Sequence, residues 1–425
     1  MKKHKLIYLD YAAATPVCAE SLKALEPFLS ENFGNASSLH KQGMKARMVL
    51  EESRRSISNI LGCRPEEIIF TGGGTESCNL AILGMGRMAL KNAGRSKPHF
   101  ITTRVEHHAV LECFRELEGL GARVTYLNVD KEGYISPDVL KKAVGPETVL
   151  VSVMYANNEI GTVQNIPVLS KIVHSYNINS RTKGKAPVLF HTDACQAPGF
   201  LDLKVNFLGV DLLSLSASKF YGPKGCGVLF VRKEFNNRLQ PILFGGGQEG
   251  GIRSGTENVS GIVGMSRALE VALKHSANET LRILKLQNYF VGEVLKIKDV
   301  KINGPLNSSG PTKSLDFKPK VQGKMLSRLP GNINFSVKGV EGEDVMLYLD
   351  AKGICVSTGS ACSTGSTERS HVIKSIGVKA EEWLKGVIRI SLGKFTTKED
   401  LDYTLKELKE IIYKLRQVSE KQSLV

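Results

Sequence analysis

Short apolar, β-branched runs recur along the first half of the chain, at residues 67–70, 99–102, 124–127, 148–153, 188–190 and 212–215. Most are separated by stretches whose apolar positions fall at helical spacing. This alternation predicts buried strands joined by helices, and hence a mostly parallel sheet. One such helix covers 39–61, with Ser37 or Ser38 as its N-cap and Gly62 closing it. After Gly261 the pattern changes to a long helix over 261–298, strands near 332–337 and 386–391, and a last helix from Thr397. In that last helix Leu401, Leu405, Leu408, Ile412 and Leu415 share one face, and Thr396 with Glu399 predicts a capping box at its start. The expected fold class is α/β: a large domain over 16–261 with a mostly parallel mixed sheet flanked by helices, plus a smaller α+β domain made from 1–15 and 262–425.

With 42% hydrophobic and 23% charged residues in 425, the chain can bury a sizeable core, which argues against a disordered or collagenous protein. The longest apolar stretches, such as 149–154, fall far short of a membrane span. The basic start Met1-Lys2-Lys3-His4-Lys5 is followed by an apolar run that ends at Asp10, too soon for an export signal, so a cytoplasmic location is expected. Eight scattered cysteines without a close pair fit reduced thiols, and no metal-ligand spacing is present. The net charge of +15 favours anionic partners, but no zinc-finger or RNA-recognition pattern accompanies it, so direct nucleic-acid binding is not expected. The polar segments 179–187 and 305–330 read as exposed loops.

Three elements carry chemistry. Gly72-Gly73-Gly74 follows a strand and opens a helix running to about Lys91, a turn that lets backbone amides approach a phosphate. It has neither Walker nor Rossmann spacing. Asp193 sits at the carboxyl end of a buried strand, the edge where open α/β sheets bind ligands, and Lys219 follows in a loop of small residues. A lysine for a Schiff base, a carboxylate to keep a pyridine nitrogen protonated and a phosphate cradle together form the set that pyridoxal phosphate requires.

With those residues in place, the chain resembles the cysteine desulfurases of the NifS/IscS type, in the class V branch of fold-type I pyridoxal phosphate enzymes. The resemblance runs nearly end to end. It is carried by Gly74-Thr75-Glu76-Ser77, Glu106-His107-His108-Ala109-Val110, Asn157-Asn158-Glu159-Ile160-Gly161, Tyr221-Gly222-Pro223-Lys224-Gly225, Arg253-Ser254-Gly255-Thr256 and the run 357–363. It implies that the large domain binds pyridoxal 5'-phosphate, with Lys219 as the Schiff-base lysine, Asp193 on the ring nitrogen and His107 stacked on the ring. Gln196 and Asn158 would lie near the phenolic oxygen, while Gly74, Thr75 and Ser216 hold the phosphate. Thr256 would reach the phosphate of a neighbouring subunit in a homodimer. Arg389, and Asn158 beside it, would hold the substrate carboxylate. His108 is expected to face elsewhere.

Cys362 lies in a stretch of Ser, Thr, Gly and Ala over 357–366, expected to belong to a mobile loop of about 355–368. By the resemblance it attacks the sulfur of bound L-cysteine, becoming a persulfide and releasing L-alanine, with Lys219 moving the α-proton and His107 the thiol proton. The sulfur would pass to an acceptor protein of iron–sulfur cluster assembly or tRNA thiolation. Cys355, in an apolar context, and the other cysteines read as packing residues. Two departures matter. The family commonly has His immediately before the lysine, where this chain has Ser218, which still offers one hydrogen bond to the phosphate. The chain also stops soon after its last helix, without the longer tail of the IscS subgroup, which leaves the acceptor open. The alternatives are a selenocysteine lyase or a class V aminotransferase, which needs no thiol. A non-catalytic adaptor on the same fold is disfavoured by the joint presence of Lys219, Asp193 and His107.

Overall fold

The computed structural model describes residues 6–94, 96–180, 186–306, 320–321, 324–358 and 369–422. Its principal sheet has seven strands: β1 (Ile68–Thr71), β2 (His99–Thr103), β3 (Arg123–Leu127), β4 (Thr148–Ser152), β5 (Leu189–Asp193), β6 (Leu212–Ser216) and β7 (Gly227–Val231). They lie in the order β1-β7-β6-β5-β4-β2-β3. All six expected runs are strands. β7, which the apolar pattern did not single out, runs antiparallel to both neighbours, and the remaining pairs are parallel.

Alternation along the strands divides the packing between two faces. Phe190 and Leu213 join one core with the helices Lys41–Leu61, Ile166–Ser180 and Val259–Lys274. Leu189 and Leu212 join the other with Gly74–Asn92 and His108–Gly119. A separate three-stranded antiparallel sheet of Val300–Ile302, Asn332–Val337 and Val387–Ser391 has its own core. There Phe290, Phe335, Ile388, Leu401, Leu405, Leu408 and Ile412 pack together with Ile7 and Leu9. The strand Ile7–Tyr8 pairs in parallel with Ile354–Cys355.

Several expectations about element ends are corrected. The first long helix starts at Lys41, and its cap is His40, whose Nδ1 accepts the Gly43 N–H at 3.3 Å, rather than Ser37 or Ser38. Gly62 does close it, with φ of 66°. The helix expected over 261–298 is two, Val259–Lys274 and Ser276–Val294, broken at His275. Ile262, Met265 and Leu269 belong to the core of the large sheet, while Ile283, Phe290 and Val294 belong to the other core. The break lets the apolar face change partners. The last helix is capped one residue later than expected: Thr397 Oγ1 accepts the Asp400 N–H at 3.2 Å and Asp400 Oδ2 accepts the Thr397 N–H at 3.0 Å. Thr396 Oγ1 instead accepts the Gly393 N–H at 3.0 Å. The segment expected as an exposed loop over 305–330 ends in buried residues, Leu326 through Leu329 being at most 4% exposed. Its part at 307–319 and 322–323 lies outside the described residues, as does 181–185 of the other polar segment.

One buried ion pair ties the turn after β7 to the sheet edge. Arg54 Nη1 and Nη2 donate to Glu249 Oε2 and Oε1 at 2.8 and 2.7 Å, and Phe70 N–H donates to Glu249 Oε2 at 2.9 Å. Removing one partner strands the other charge in the interior. Glu249→Ala is therefore expected to lower the unfolding free energy by about 3–5 kcal/mol, read from urea titration; a loss below about 1 kcal/mol would contradict this role.

Candidate active site

The carboxyl ends of β1, β5 and β6 open on a cavity of about 380 Å³. Around it stand Gly74, Thr75, His107, Asn158, Asp193, Gln196, Ser216, Ser218, Lys219 and Arg389, so most of the expected site residues converge. Thr256 does not: it is exposed and does not line this cavity. Cys362 lies outside the described residues, as does the rest of 359–368.

The glycine turn is cleared of side chains by its neighbours. Gly73 has φ of 147°. A Cβ on Gly74 would lie 2.6 Å from Cys195 Sγ and 3.2 Å from Ser216 Cβ, and one on Gly227 of β7 would lie 2.6 Å from Gly73 Cα. Glu76 fixes the turn from below, accepting from Gly72 N–H at 2.7 Å and from Arg253 Nε at 2.7 Å. The amides that open the helix Gly74–Asn92 therefore face the cavity with the helix dipole behind them, next to the hydroxyls of Ser216 and Ser218, which lie 3.2 Å apart.

Asp193 ends β5, where its Oδ1 accepts the Cys195 N–H at 3.0 Å. Lys219 ends the tight turn Ala217–Lys219 after β6. Its Nζ donates to the main-chain oxygens of Ala12 and Ala13, and Gln196 Nε2 also donates to Ala12 O at 3.0 Å. The segment after Asp10 thus forms one wall. Tyr221, with φ of 64°, follows the lysine; its N–H donates to Thr15 Oγ1 at 2.8 Å and its hydroxyl accepts the Lys394 N–H at 2.7 Å.

His107 caps the helix His108–Gly119, its Nδ1 accepting the Ala109 N–H at 3.1 Å. Burial pushes its pKa down against the opposing pull of Asp193, which favours the neutral ring, and the Nδ1 that accepts the Ala109 N–H is then the nitrogen bearing the lone pair. His108 was expected to face elsewhere, yet it lines the cavity, with its ring centroid 4.7 Å from that of His371. Arg389 is only 1% exposed; Nη2 donates to Asp10 Oδ1 at 2.8 Å and Nη1 to Asn158 O at 3.2 Å. The chain on either side of Cys362 is anchored at the same cavity. Ser357 N–H donates to Arg389 O at 3.0 Å, and Ser370 Oγ donates to Glu159 Oε2 at 2.5 Å. Cys355 is half-buried in its short strand, and burial raises its thiol pKa.

Two lining residues escaped the sequence reading. Glu106 is fully buried; its Oε1 accepts from Thr103 Oγ1 at 2.8 Å and Met154 N–H at 2.9 Å, while Oε2 has no hydrogen-bond partner. Adjacent histidines drew attention away from it. His371 lies beyond the cysteine run, where nothing in the linear pattern connects it to residues near 106. Among the described residues no cluster of His, Cys, Asp and Glu is arranged to hold a metal ion.

The family model described as Aminotransferase class-V matches residues 7–404. The chain belongs to that family. It is 49% identical over 414 residues to a cysteine desulfurase IscS of Dictyoglomus turgidum, covering 97% of this chain and 96% of that one. Among solved structures it superposes on a NifS-like protein with a TM-score of 0.83 at 34% identity, covering 96% of this chain and all of that one (100%). A structure described as SspA in complex with cysteine gives a TM-score of 0.73 at 34% identity, covering 92% and 100%. Enzymes of this family use pyridoxal 5'-phosphate, and the cavity fits it: a turn with no room for a Cβ at Gly74, a carboxylate at the end of β5 and a lysine after β6 are the three groups it needs.

Burial raises the Glu106 carboxyl pKa to about 8, with Asp193 adding to the shift and the Met154 and Thr103 hydrogen bonds opposing it. The native state therefore holds a proton that the unfolded chain loses near its ordinary carboxylate pKa. The folded state is penalised progressively as pH rises from about 4.5 to about 8. Glu106→Gln, which keeps an acceptor for both donors, is expected to remove that penalty. Its melting temperature relative to the parent should climb between pH 5 and pH 8, and a pH-independent difference would contradict a protonated Glu106.

Proposed function

We propose that this protein is a pyridoxal phosphate-dependent cysteine desulfurase that converts L-cysteine to L-alanine and carries the released sulfur as a persulfide on Cys362. The observation that carries the reading is the convergence of Lys219, Asp193 and His107 on one cavity of about 380 Å³ beside the buried guanidinium of Arg389. The desulfurase relatives and the cysteine-bound structure support cysteine over selenocysteine, and a transamination would leave the thiol run at 357–363 without a task.

When bound, the protonated pyridine ring accepts the electron pair released at the substrate α-carbon. Each residue then has a defined part. Asp193 keeps the ring nitrogen protonated, and the Gly74 and Thr75 amides with the Ser216 and Ser218 hydroxyls hold the phosphate. His107 would cover the ring face, and Gln196 and Asn158 would lie toward the phenolic oxygen. Arg389, with Asn158, orients the substrate carboxylate. Lys219 would hold the cofactor as its Schiff-base lysine and, as the base beside the substrate, would take the α-proton and later return it to the α-carbon. The Cys362 thiolate then attacks the substrate sulfur: an S–S bond forms, the Cβ–S bond breaks with its electron pair left on Cβ, and a proton there completes the methyl group of L-alanine. Four residues separate Ser357 from Cys362, so the tether of five Cα–Cα steps reaches at most about 18 Å when extended.

Beyond the chemistry, we infer a homodimer in which Thr256 completes the neighbouring phosphate site. The exposure of Thr256 and of Phe33 (72%), Leu39 (84%) and Phe244 (81%) supports a covering second copy. Division of the chain into 16–261 and a unit of 1–15 with 262–425 is supported by Ile7 and Leu9 sharing a core with Phe335. The free cysteines support a reducing, cytoplasmic compartment, with an iron–sulfur scaffold or a tRNA-thiolation protein taking the sulfur.

Two variants test this on protein reconstituted with the coenzyme. With L-cysteine and a reductant, the parent should release equal amounts of alanine and sulfide, and Cys362→Ser should lose sulfide release while keeping the cofactor absorbance. Sulfide release at the parent rate in that variant would overturn the assignment of the thiol. Lys219→Ala should lose the absorbance of the lysine-bound coenzyme together with turnover; an unchanged spectrum would exclude Lys219 as its anchor.

A further inference from the structure

Both ends of the segment that carries Cys362 are fixed to neighbouring residues of one turn. This turn, 157–161, lies beyond β4 and is closed by Asn157, whose N–H donates to Thr162 O at 2.9 Å and whose Oδ1 accepts the Glu159 and Ile160 N–H groups, each at 2.9 Å. Asn157 Nδ2 also donates to Val105 O at 2.8 Å, tying the turn to the residue before Glu106. At the near end of the segment the main chains of Ser357 and Arg389 pair, and Arg389 Nη1 donates to Asn158 O at 3.2 Å. At the far end Ser370 Oγ donates to the next residue of the turn, Glu159 Oε2, at 2.5 Å. The guanidinium assigned to the substrate carboxylate and both ends of the thiol segment therefore share one frame.

The two attachments differ in kind. The near one is a main-chain bridge that holds whatever the side chains are, whereas the far one depends on a single hydroxyl. Glu159 is only 2% exposed and lines the cavity, so its carboxylate needs a donor inside the protein. Arg369 beside Ser370 pairs with Glu341 and Glu381, but those side chains are 40% and 58% exposed, where an ion pair contributes little. Behind Ser370, Val372 and Ile373 are buried with Val105 and Ile160, which sets the far end against the same turn. The run 358–368 contains no large apolar side chain to bury, so its two ends are the points of control. Ser370 Oγ also accepts the Ile373 N–H at 3.2 Å, as the cap of the helix His371–Ser375. Capping asks position 370 only for an acceptor, while the bond to Glu159 asks for a donor.

We propose that Glu159 and Ser370 are positioning residues for the sulfur transfer: their hydrogen bond sets the far end of the thiol segment against the turn that also holds Arg389, and so brings Cys362 and the substrate sulfur into register. The inference rests on the desulfurase reading and deepens it, adding a pair that acts through Cys362 rather than on the reacting atoms. One turn then aligns both reactants, the substrate through Asn158 and Arg389, the thiol through Glu159 and Ser370.

The holoenzyme tests this. Ser370→Asp keeps a cap acceptor for the Ile373 N–H but brings no donor to Glu159. It should keep the cofactor absorbance, the spectral change on adding L-cysteine and the KM, while kcat for alanine falls about 100-fold, the loss expected when a reacting group is misplaced by about 1 Å. Iodoacetamide should alkylate Cys362 at least as fast as in the parent, because the thiol itself is untouched. Combining Ser370→Asp with Glu159→Gln reverses the polarity of the bond, the new amide donating to the new carboxylate, and should restore kcat about 10-fold over Ser370→Asp. If Ser370→Asp does not load the coenzyme, Ser370→Gly, which lacks the hydroxyl at a position where glycine is a tolerated cap, should show the same loss. A parent-like kcat in the loaded variant, slower alkylation of Cys362, or a double variant no faster than Ser370→Asp overturns the proposal and leaves the desulfurase reading intact. A parent enzyme that forms no alanine from L-cysteine removes that reading and the proposal together.

Discussion

A guanidinium buried as completely as that of Arg389 requires counter-charge and acceptors, because the desolvation of an unpaired charge outweighs what packing returns. Here Asp10 and the Asn158 carbonyl meet that requirement, and with Arg389 itself they come from three separate stretches of chain. Asp10 lies just after the strand at the chain start, Asn158 in the loop beyond β4, and Arg389 in the last strand of the small sheet. Satisfying one side chain therefore draws the small sheet, the first described residues and the edge of the large sheet to one point. The cavity exists because those three meet there.

Around that point the polar groups are distributed by backbone geometry. Amides at a helix start face the phosphate end, a carboxylate at a strand end faces the opposite side, and the lysine stands on a turn held by Tyr221 and Thr15. Glu106 sits behind this arrangement as a neutral acid, tying the loop after β2 to the end of β4.

Much of this was legible in the linear pattern. Strand ends and glycine turns recur with short periods, so Gly74, Asp193 and Lys219 could be placed at one sheet edge from spacing alone. Other features depend on distant partners. β7 reads as any apolar run, and its reversed direction follows from a hairpin-like return after β6. The break at His275 is invisible because apolar positions on either side keep helical spacing while facing different cores. The cap shifted from Thr396 to Thr397 because both offer a hydroxyl three residues before an acid, and only tertiary contact with Gly393 separates them. His371 meets Glu106 across more than half the chain, a pairing that periodicity cannot report.

The approach of β7 to the glycine turn has an evolutionary consequence. A Cβ on Gly227 would be driven into the Gly73 backbone, whereas one on Gly73 would meet nothing nearer than Ser216 Oγ at 4.0 Å, and Gly73 is held to glycine by its φ of 147° instead. Drift at Gly227 is tied to the turn: it cannot gain a side chain until the reversed strand itself shifts away from Gly73. Such a lock preserves the antiparallel insertion in the sheet through selection on the phosphate turn, even though no atom of β7 need ever touch the coenzyme.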